Sequence, residues 1–203
     1  MSKQVYISAD YDDRSGDREV VNDLKRWGQD NKHKTDFIDM SEARSGSVSK
    51  NSDCRICELK NEFNRQINAS SAVIFVIGDN TALRTAGNTC QRAYKPQWSC
   101  YCTSYKGNAL GSKLCNVYSL TQFGNNDDVS PINSCSYLRH EFEQAKKKGK
   151  KIIIIYNSYY KQPSWLPSYM SGYENIAVAF WTRNINGNRI GNYTVIKQAL
   201  GYE

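Results

Sequence analysis

Ala72-Val-Ile-Phe-Val-Ile77 is an unbroken apolar run, and Gly78-Asp-Asn-Thr81 ends it. A strand that is apolar at every position, rather than at alternate ones, is covered on both faces. A central strand of a parallel sheet, with helices above and below, meets that condition. Lys151-Ile-Ile-Ile-Ile-Tyr156 repeats the pattern. It follows Tyr137-Leu-Arg-His-Glu-Phe-Glu and then Gln-Ala-Lys-Lys-Lys-Gly149, which read as a short helix and a glycine stop.

The rest of the chain alternates in the same way. Residues 5–9 read as a first strand, and the polar break Asp10-Tyr-Asp-Asp-Arg-Ser-Gly16 follows at once. Val20, Val21, Leu24 and Trp27 recur at helical spacing after a start near Asp17. Residues 34–40 form a second candidate strand, and residues 41–47 a polar loop containing Gly46. A second helix covers roughly residues 53–68, with Ile56, Leu59, Phe63 and Ile67 on its buried side. Beyond the third strand the pattern lapses: residues 82–133 are rich in Asn, Ser, Gly, Cys and Tyr. A structureless loop of that length is unusual in a compact domain. The segment reads as an insertion on the ligand side of the sheet, with short strands around 97–103 and 116–121.

Order returns at Pro131. Ser134 or Ser136 can cap a helix running to about Lys148. Leu138, Phe142 and Ala145 are its sheet-facing residues, and Gly149 stops it. Residues 152–156 form the fourth strand, 175–181 the fifth, and 193–200 a closing helix. The expectation is one domain over residues 1–203 of α/β class. It is a flavodoxin-like three-layer α/β/α sandwich on a five-stranded parallel sheet with right-handed crossovers. The long insertion at 82–133 lies between the third strand and the helix carrying Glu141.

Lys plus Arg number 27 against 20 Asp plus Glu, a net +7. That balance favours any polyanion, dinucleotide or nucleic acid, without choosing between them. Much of the excess sits at Lys146, Lys147, Lys148, Lys150 and Lys151. Cations suit a helix C-terminus, so a solvated helix end is the plain reading beside a binding patch. No regular basic–aromatic motif points to nucleic acid. No apolar run reaches transmembrane length, and Met-Ser-Lys-Gln running into Val-Tyr-Ile-Ser is not a signal peptide. The expectation is a cytoplasmic protein with neither a membrane nor a nucleic-acid partner.

The seven cysteines, an odd number without a secretory signal, argue against a complete disulfide framework. Cys54-x-x-Cys57 lies on an apparent helix with no strand before it, unlike a redox motif. Cys90, Cys100, Cys102 and Cys115 offer a zinc set in principle, with free thiols the plainer reading. No metal or cofactor is expected. Neither Gly-x-Gly-x-x-Gly after the first strand nor Gly-x-x-x-x-Gly-Lys-Ser/Thr occurs. That weighs against a Rossmann dehydrogenase and a P-loop nucleotide hydrolase.

Open α/β sheets bind ligands beyond the carboxyl ends of their strands. Tyr137 and Glu141 are four residues apart and share a helix face. Turned toward the first and third strands, Glu141 would meet Ser8, Asp10 and Tyr11. A carboxylate there can hold ribose hydroxyls and stabilise positive charge growing at an anomeric carbon. This suits an N-glycosidic bond whose leaving group is already cationic, as nicotinamide is in NAD+. Such a leaving group needs no proton, so one carboxylate suffices where sugar–sugar bonds commonly use two. The bland alternative is a helix-surface carboxylate paired with Arg139 or with lysines one turn on. Glu143, on another face, is the solvated control.

His140 and His33 lack catalytic partners, and no Cys–His or Ser–His–Asp set assembles. Asp10, Asp12 and Asp13 with Asp79 suggest a receiver-like magnesium pocket, but Trp181-Thr-Arg supplies no lysine after the fifth strand.

Three segments carry a resemblance: Val5-Tyr-Ile-Ser-Ala-Asp-Tyr11, Ser71-Ala-Val-Ile-Phe-Val-Ile-Gly-Asp-Asn80, and Tyr137-Leu-Arg-His-Glu141 ahead of its lysine-rich helix end and strand. In that order they resemble a TIR domain, specifically the bacterial TIR-like domain of Thoeris anti-phage defence, the ThsB group. In that family an aromatic residue, often tryptophan, precedes the catalytic glutamate by four. Tyr137 and Glu141 fill the two positions. The resemblance implies a nucleotide pocket formed by Ser8, Ala9, Asp10 and Tyr11, with Arg44 in the loop after strand two as a phosphate contact. It implies an NAD-consuming enzyme, an NAD+ nucleohydrolase or ADP-ribosyl cyclase, producing a cyclic ADP-ribose signal in phage defence. The implied partners are NAD+ as substrate and a separate effector protein that responds to the product, with self-association as a further expectation. The rival expectations are a non-catalytic TIR interaction module, using the 41–47 loop and the insertion, and a nucleoside 2-deoxyribosyltransferase-like enzyme.

Overall fold

Two flat cores, one on each side of a single sheet, set the architecture. The structure is a computed structural model that describes residues 3–10, 17–29, 35–39, 56–84, 101–103, 112–114 and 136–202. Chain order runs β1 (Lys3–Ser8), α1 (Asp17–Gly28), β2 (Thr35–Asp39), α2 (Ile56–Ala69) and β3 (Ala72–Ile77). The short strands β4 (Tyr101–Thr103) and β5 (Ser112–Leu114) follow, then α3 (Tyr137–Lys147) and β6 (Lys151–Tyr156). The chain closes with β7 (Val178–Ala179), β8 (Trp181–Arg183), β9 (Arg189–Gly191) and α4 (Tyr193–Leu200). The main sheet is five-stranded and wholly parallel, in the order β2-β1-β3-β6-β7. This is the three-layer, flavodoxin-like order.

β3 is buried along its whole length, as its composition requires. Its side chains alternate between the two cores. Ala72, Ile74 and Val76 join Val5, Ile7, Ile153 and Ile155 against Val20, Val21 and Leu24 of α1 and Ile196 and Leu200 of α4. Val73, Phe75 and Ile77 join Tyr6, Ile154 and Tyr156 against Phe63 and Ile67 of α2 and Leu138, Phe142 and Ala145 of α3. Each fully buried aliphatic or phenylalanine side chain contributes about 1.5–3 kcal/mol relative to exposure.

The helices begin and end where their sequence dictates. The Ser136 hydroxyl accepts the Arg139 N–H at 3.0 Å and caps α3. Lys146 and Lys147 occupy its last turn, and Gly149 leaves with φ of 59°. Gly28, the last residue of α1, passes close against β2. A Cβ on Gly28 would lie 2.4 Å from Phe37 Cδ2 and 2.8 Å from the Thr35 carbonyl oxygen. The carbonyl belongs to the sheet, so the ring and the helix end must move instead. Gly28→Ala is expected to lower stability by about 1–3 kcal/mol, read as a lower urea midpoint at unchanged m.

The expected fifth strand over 175–181 is corrected. Only Val178–Ala179 pairs with β6. Before it, the N–H groups of Ile176 and Ala177 both turn back to the Tyr173 carbonyl. After it, Trp181 leaves the sheet to start an antiparallel hairpin, β8–β9. Gly187, with φ of 77°, sits in the hairpin turn, and the Arg189 guanidinium lies 4.0 Å over the Trp181 ring.

Within the insertion, Tyr101–Thr103 pairs antiparallel with Ser112–Leu114. The first strand falls inside the expected 97–103. The second precedes the expected 116–121, which lies outside the described residues. The remaining helices and strands fall within a few residues of their expected bounds, although 53–55, ahead of α2, are also outside the described residues. No helix among the described residues is long and apolar enough to cross a membrane.

Candidate active site

Glu141 sits on the second turn of α3, on the face that packs against the sheet. Its neighbours Leu138, Phe142 and Ala145 are buried in the core between α3 and the strands. The carboxylate is itself buried, at 3 % exposure. Both of its oxygens meet hydroxyls from β1. Tyr6 Oη donates to Oε1 at 2.6 Å, and Ser8 Oγ donates to Oε2. Tyr6 and Ser8 are two residues apart, so the strand period points both at α3. Tyr6 holds the carboxylate from within the sheet, while Ser8 ends β1.

This geometry sets the electrostatics. Burial disfavours the charged form and raises the Glu141 pKa to about 7, while the hydrogen bonds from Ser8 and then Tyr6 pull it down. Tyr6→Phe removes one donor to the ionised form. It should raise the Glu141 pKa further and cost about 1–2 kcal/mol of stability. An NMR titration of the Glu141 carboxyl carbon in both proteins checks the direction, and an unmoved midpoint would count against the assignment.

Tyr137 begins α3, one turn before Glu141. Its ring meets Phe63 of α2 edge-on, with centroids 5.7 Å apart. Asp10 lies beyond the end of β1. Its carboxylate pairs with Arg84 Nε at 2.7 Å. Burial raises the Asp10 pKa, and the Arg84 charge offsets part of that rise. Ala9 packs its methyl against the α1 side of the sheet, so only its backbone can face the Glu141 side. Tyr11 and Arg44, the other expected substrate contacts, lie outside the described residues, as do Asp12, Asp13, His33 and residues 41–47.

The bland reading of Glu141 as a surface carboxylate is overturned by its burial, whereas Glu143 is exposed. His140 is buried, with Nε2 3.0 Å from Asn64 Oδ1. One turn on, Gln144 Nε2 donates to Asn68 Oδ1 at 2.9 Å. These two pairs join α3 to α2 and give His140 a structural task. Asp79 is exposed. Among the described residues no group of His, Cys, Asp and Glu could hold a metal ion. Cys57 falls in α2 and Cys102 in β4, and the other cysteines lie outside the described residues.

Two features went unread in the sequence. Tyr6 is one: it reads as a core aromatic, and only the alternation with Ser8 hints that its hydroxyl faces the same helix. The other is a partly buried polar relay at the carboxyl ends of the strands. Trp181 Nε1 donates to Asn157 Oδ1 at 2.7 Å, and Asn157 Nδ2 donates to Asp17 Oδ1 at 2.9 Å. A Cβ on Gly78 would stand 3.0 Å from that same Asp17 oxygen. The relay ties the end of β6, β8 and the start of α1 together.

A parallel sheet in the order β2-β1-β3-β6-β7 with helices on both faces makes this a three-layer α/β/α domain consistent with a flavodoxin- or TIR-like fold, and it carries a buried helix carboxylate against the end of β1. Residues 6–88 match the family model described as Thoeris protein ThsB, TIR-like domain, and over that span the chain is similar to that family. The match takes in Tyr6, Ser8, Asp10 and Arg84 and ends before Glu141. That similarity is in keeping with NAD-linked signalling. No curated protein matches the chain.

Proposed function

We propose that this protein cleaves the bond between nicotinamide and ribose in NAD+ and releases a cyclic ADP-ribose-type signal in anti-phage defence. The observation that carries the reading is the Glu141 carboxylate, buried and gripped by Tyr6 and Ser8 at the end of β1. In the reaction the glycosidic electron pair leaves with nicotinamide and neutralises its pyridinium charge. The anomeric carbon becomes oxocarbenium-like, and an ionised Glu141 stabilises that charge and accepts hydrogen bonds from ribose hydroxyls. Ser8 is the partner exchanged for a ribose hydroxyl, because it stands at the strand end while Tyr6 anchors the other oxygen. An internal hydroxyl of the ADP-ribose unit closes the ring, or water adds and linear ADP-ribose forms. Either nucleophile loses a proton as its bond to the anomeric carbon is made.

The substrate is NAD+, and the partner is a separate effector that responds to the product. Self-association of the TIR-like domain belongs to the same reading. The test is incubation of the purified protein with NAD+, followed by chromatographic separation of nicotinamide and the ADP-ribose products. Release of nicotinamide with linear or cyclic ADP-ribose is expected. No release at any protein concentration, including those that drive self-association, overturns the proposal.

A further inference from the structure

The strand order reverses between β1 and β3: from β1 the chain goes to β2 on one side and then crosses to β3 on the other. The crevice at that reversal, outside the carboxyl ends of the two strands, is where open α/β sheets hold ligands. Asp10 follows β1, and Arg84 follows the short turn Thr81–Leu83 after β3. Their ion pair, at 2.7 Å, therefore bridges the crevice. The turn that presents Arg84 is fixed. Gly78 N–H donates to Thr81 Oγ1 at 2.8 Å, and Arg84 N–H closes on the Thr81 carbonyl at 3.3 Å.

We infer that Arg84 is a diphosphate-binding residue and that Asp10 holds its place until a ligand with a diphosphate displaces it. The ligand class follows from the proposed NAD+ chemistry, and the inference takes that much from it. Three observations support it. Asp10 is two residues beyond Ser8, a chain distance of at most about 7 Å, of the same order as the span of a ribose from its anomeric carbon to its 5′ phosphate. The pair is partly solvated, with side-chain exposures of 39 % for Arg84 and 24 % for Asp10, so a ligand arriving from solvent can reach it and solvent screening weakens its attraction. A diphosphate carries more negative charge than one carboxylate and offers paired oxygens that match the guanidinium fork.

The experiment is calorimetric titration of ADP into the wild type, Arg84→Ala and Asp10→Asn, with nicotinamide release from NAD+ measured alongside. Both variants break the ion pair, so a merely structural pair predicts that both move ADP affinity in the same direction, or leave it alone. Exchange predicts opposite signs. Arg84→Ala should weaken ADP about tenfold, and Asp10→Asn should tighten it by removing the competing carboxylate. Arg84→Ala should also raise the KM for NAD+ while leaving hydrolysis of nicotinamide riboside, which has no diphosphate, near wild-type rates. Same-signed changes, an unaffected Arg84→Ala, or absence of ADP binding by the wild type overturn the inference. Failure here with intact nicotinamide release leaves the NAD+ reading standing. Opposite-signed ADP effects without nicotinamide release sink that reading alone.

Discussion

Glu141→Gln is expected to reduce nicotinamide release from NAD+ by about 10²–10³-fold or more, with the fold unchanged. The substitution is nearly isosteric and keeps both hydroxyl contacts. The amide oxygen accepts from one of Tyr6 and Ser8, and the amide nitrogen donates to the other, since a hydroxyl can take either role. What disappears is the negative charge, the one property the proposed transition state needs. Glu143→Gln on the same helix is the matched control. Glu143 is exposed and removed from the carboxylate pocket, so its loss should leave turnover at the wild-type level. Equal nicotinamide release by wild type and Glu141→Gln, with matching circular dichroism, would falsify the assignment of Glu141.

The burial of that carboxylate could be reasoned from the chain only in part. The apolar runs of β3 and β6 and the Tyr137–Glu141 spacing were enough for the sheet, its order and the helix face, because both strands are buried along most of their length and leave no ambiguity of period. Ser8 was legible as well, being the last inward residue of β1. Tyr6 was not, since an aromatic in a strand looks the same whether its hydroxyl is idle or holds a catalytic group. The pairing of Asp10 with Arg84 was not legible, because nearness in sequence to Ser8 says nothing of a residue brought in after β3 from across the crevice. The fifth strand was overextended for a similar reason. Its apolar letters satisfy a strand, but the Tyr173 carbonyl takes the backbone N–H groups of Ile176 and Ala177. The Asn186-Gly187 pair between Trp181–Arg183 and Arg189–Gly191 is a hairpin signal that was there to be read.

Protonation of Glu141 ties activity and stability to the same pH window in opposite senses. With its pKa raised to about 7 by burial, the ionised form that the chemistry uses is a minority below neutrality. Turnover per enzyme at low NAD+ should therefore climb through pH 6–8 with an acid limb near 7, where an ordinary surface carboxyl would already have levelled off. Stability runs the other way. A carboxyl that binds its proton more tightly folded than unfolded favours the folded state, fully so below the unfolded value of about 4.5. That contribution fades as pH rises toward 7 and is absent above it, because the folded protein then buries a charge. The gap between the two values corresponds to on the order of 3 kcal/mol. Gln at the same position titrates nowhere, so the difference in unfolding free energy between wild type and Glu141→Gln isolates this one group. Wild type should lose ground to the variant between pH 5 and pH 8 by about that amount, read from urea midpoints at matched m. Tyr6→Phe should push both the acid limb of activity and the stability window to higher pH. Parallel stability profiles for wild type and Glu141→Gln, together with turnover that is flat from pH 6 to 8, would mean that the carboxylate is solvated in solution and is not the group on which the chemistry turns.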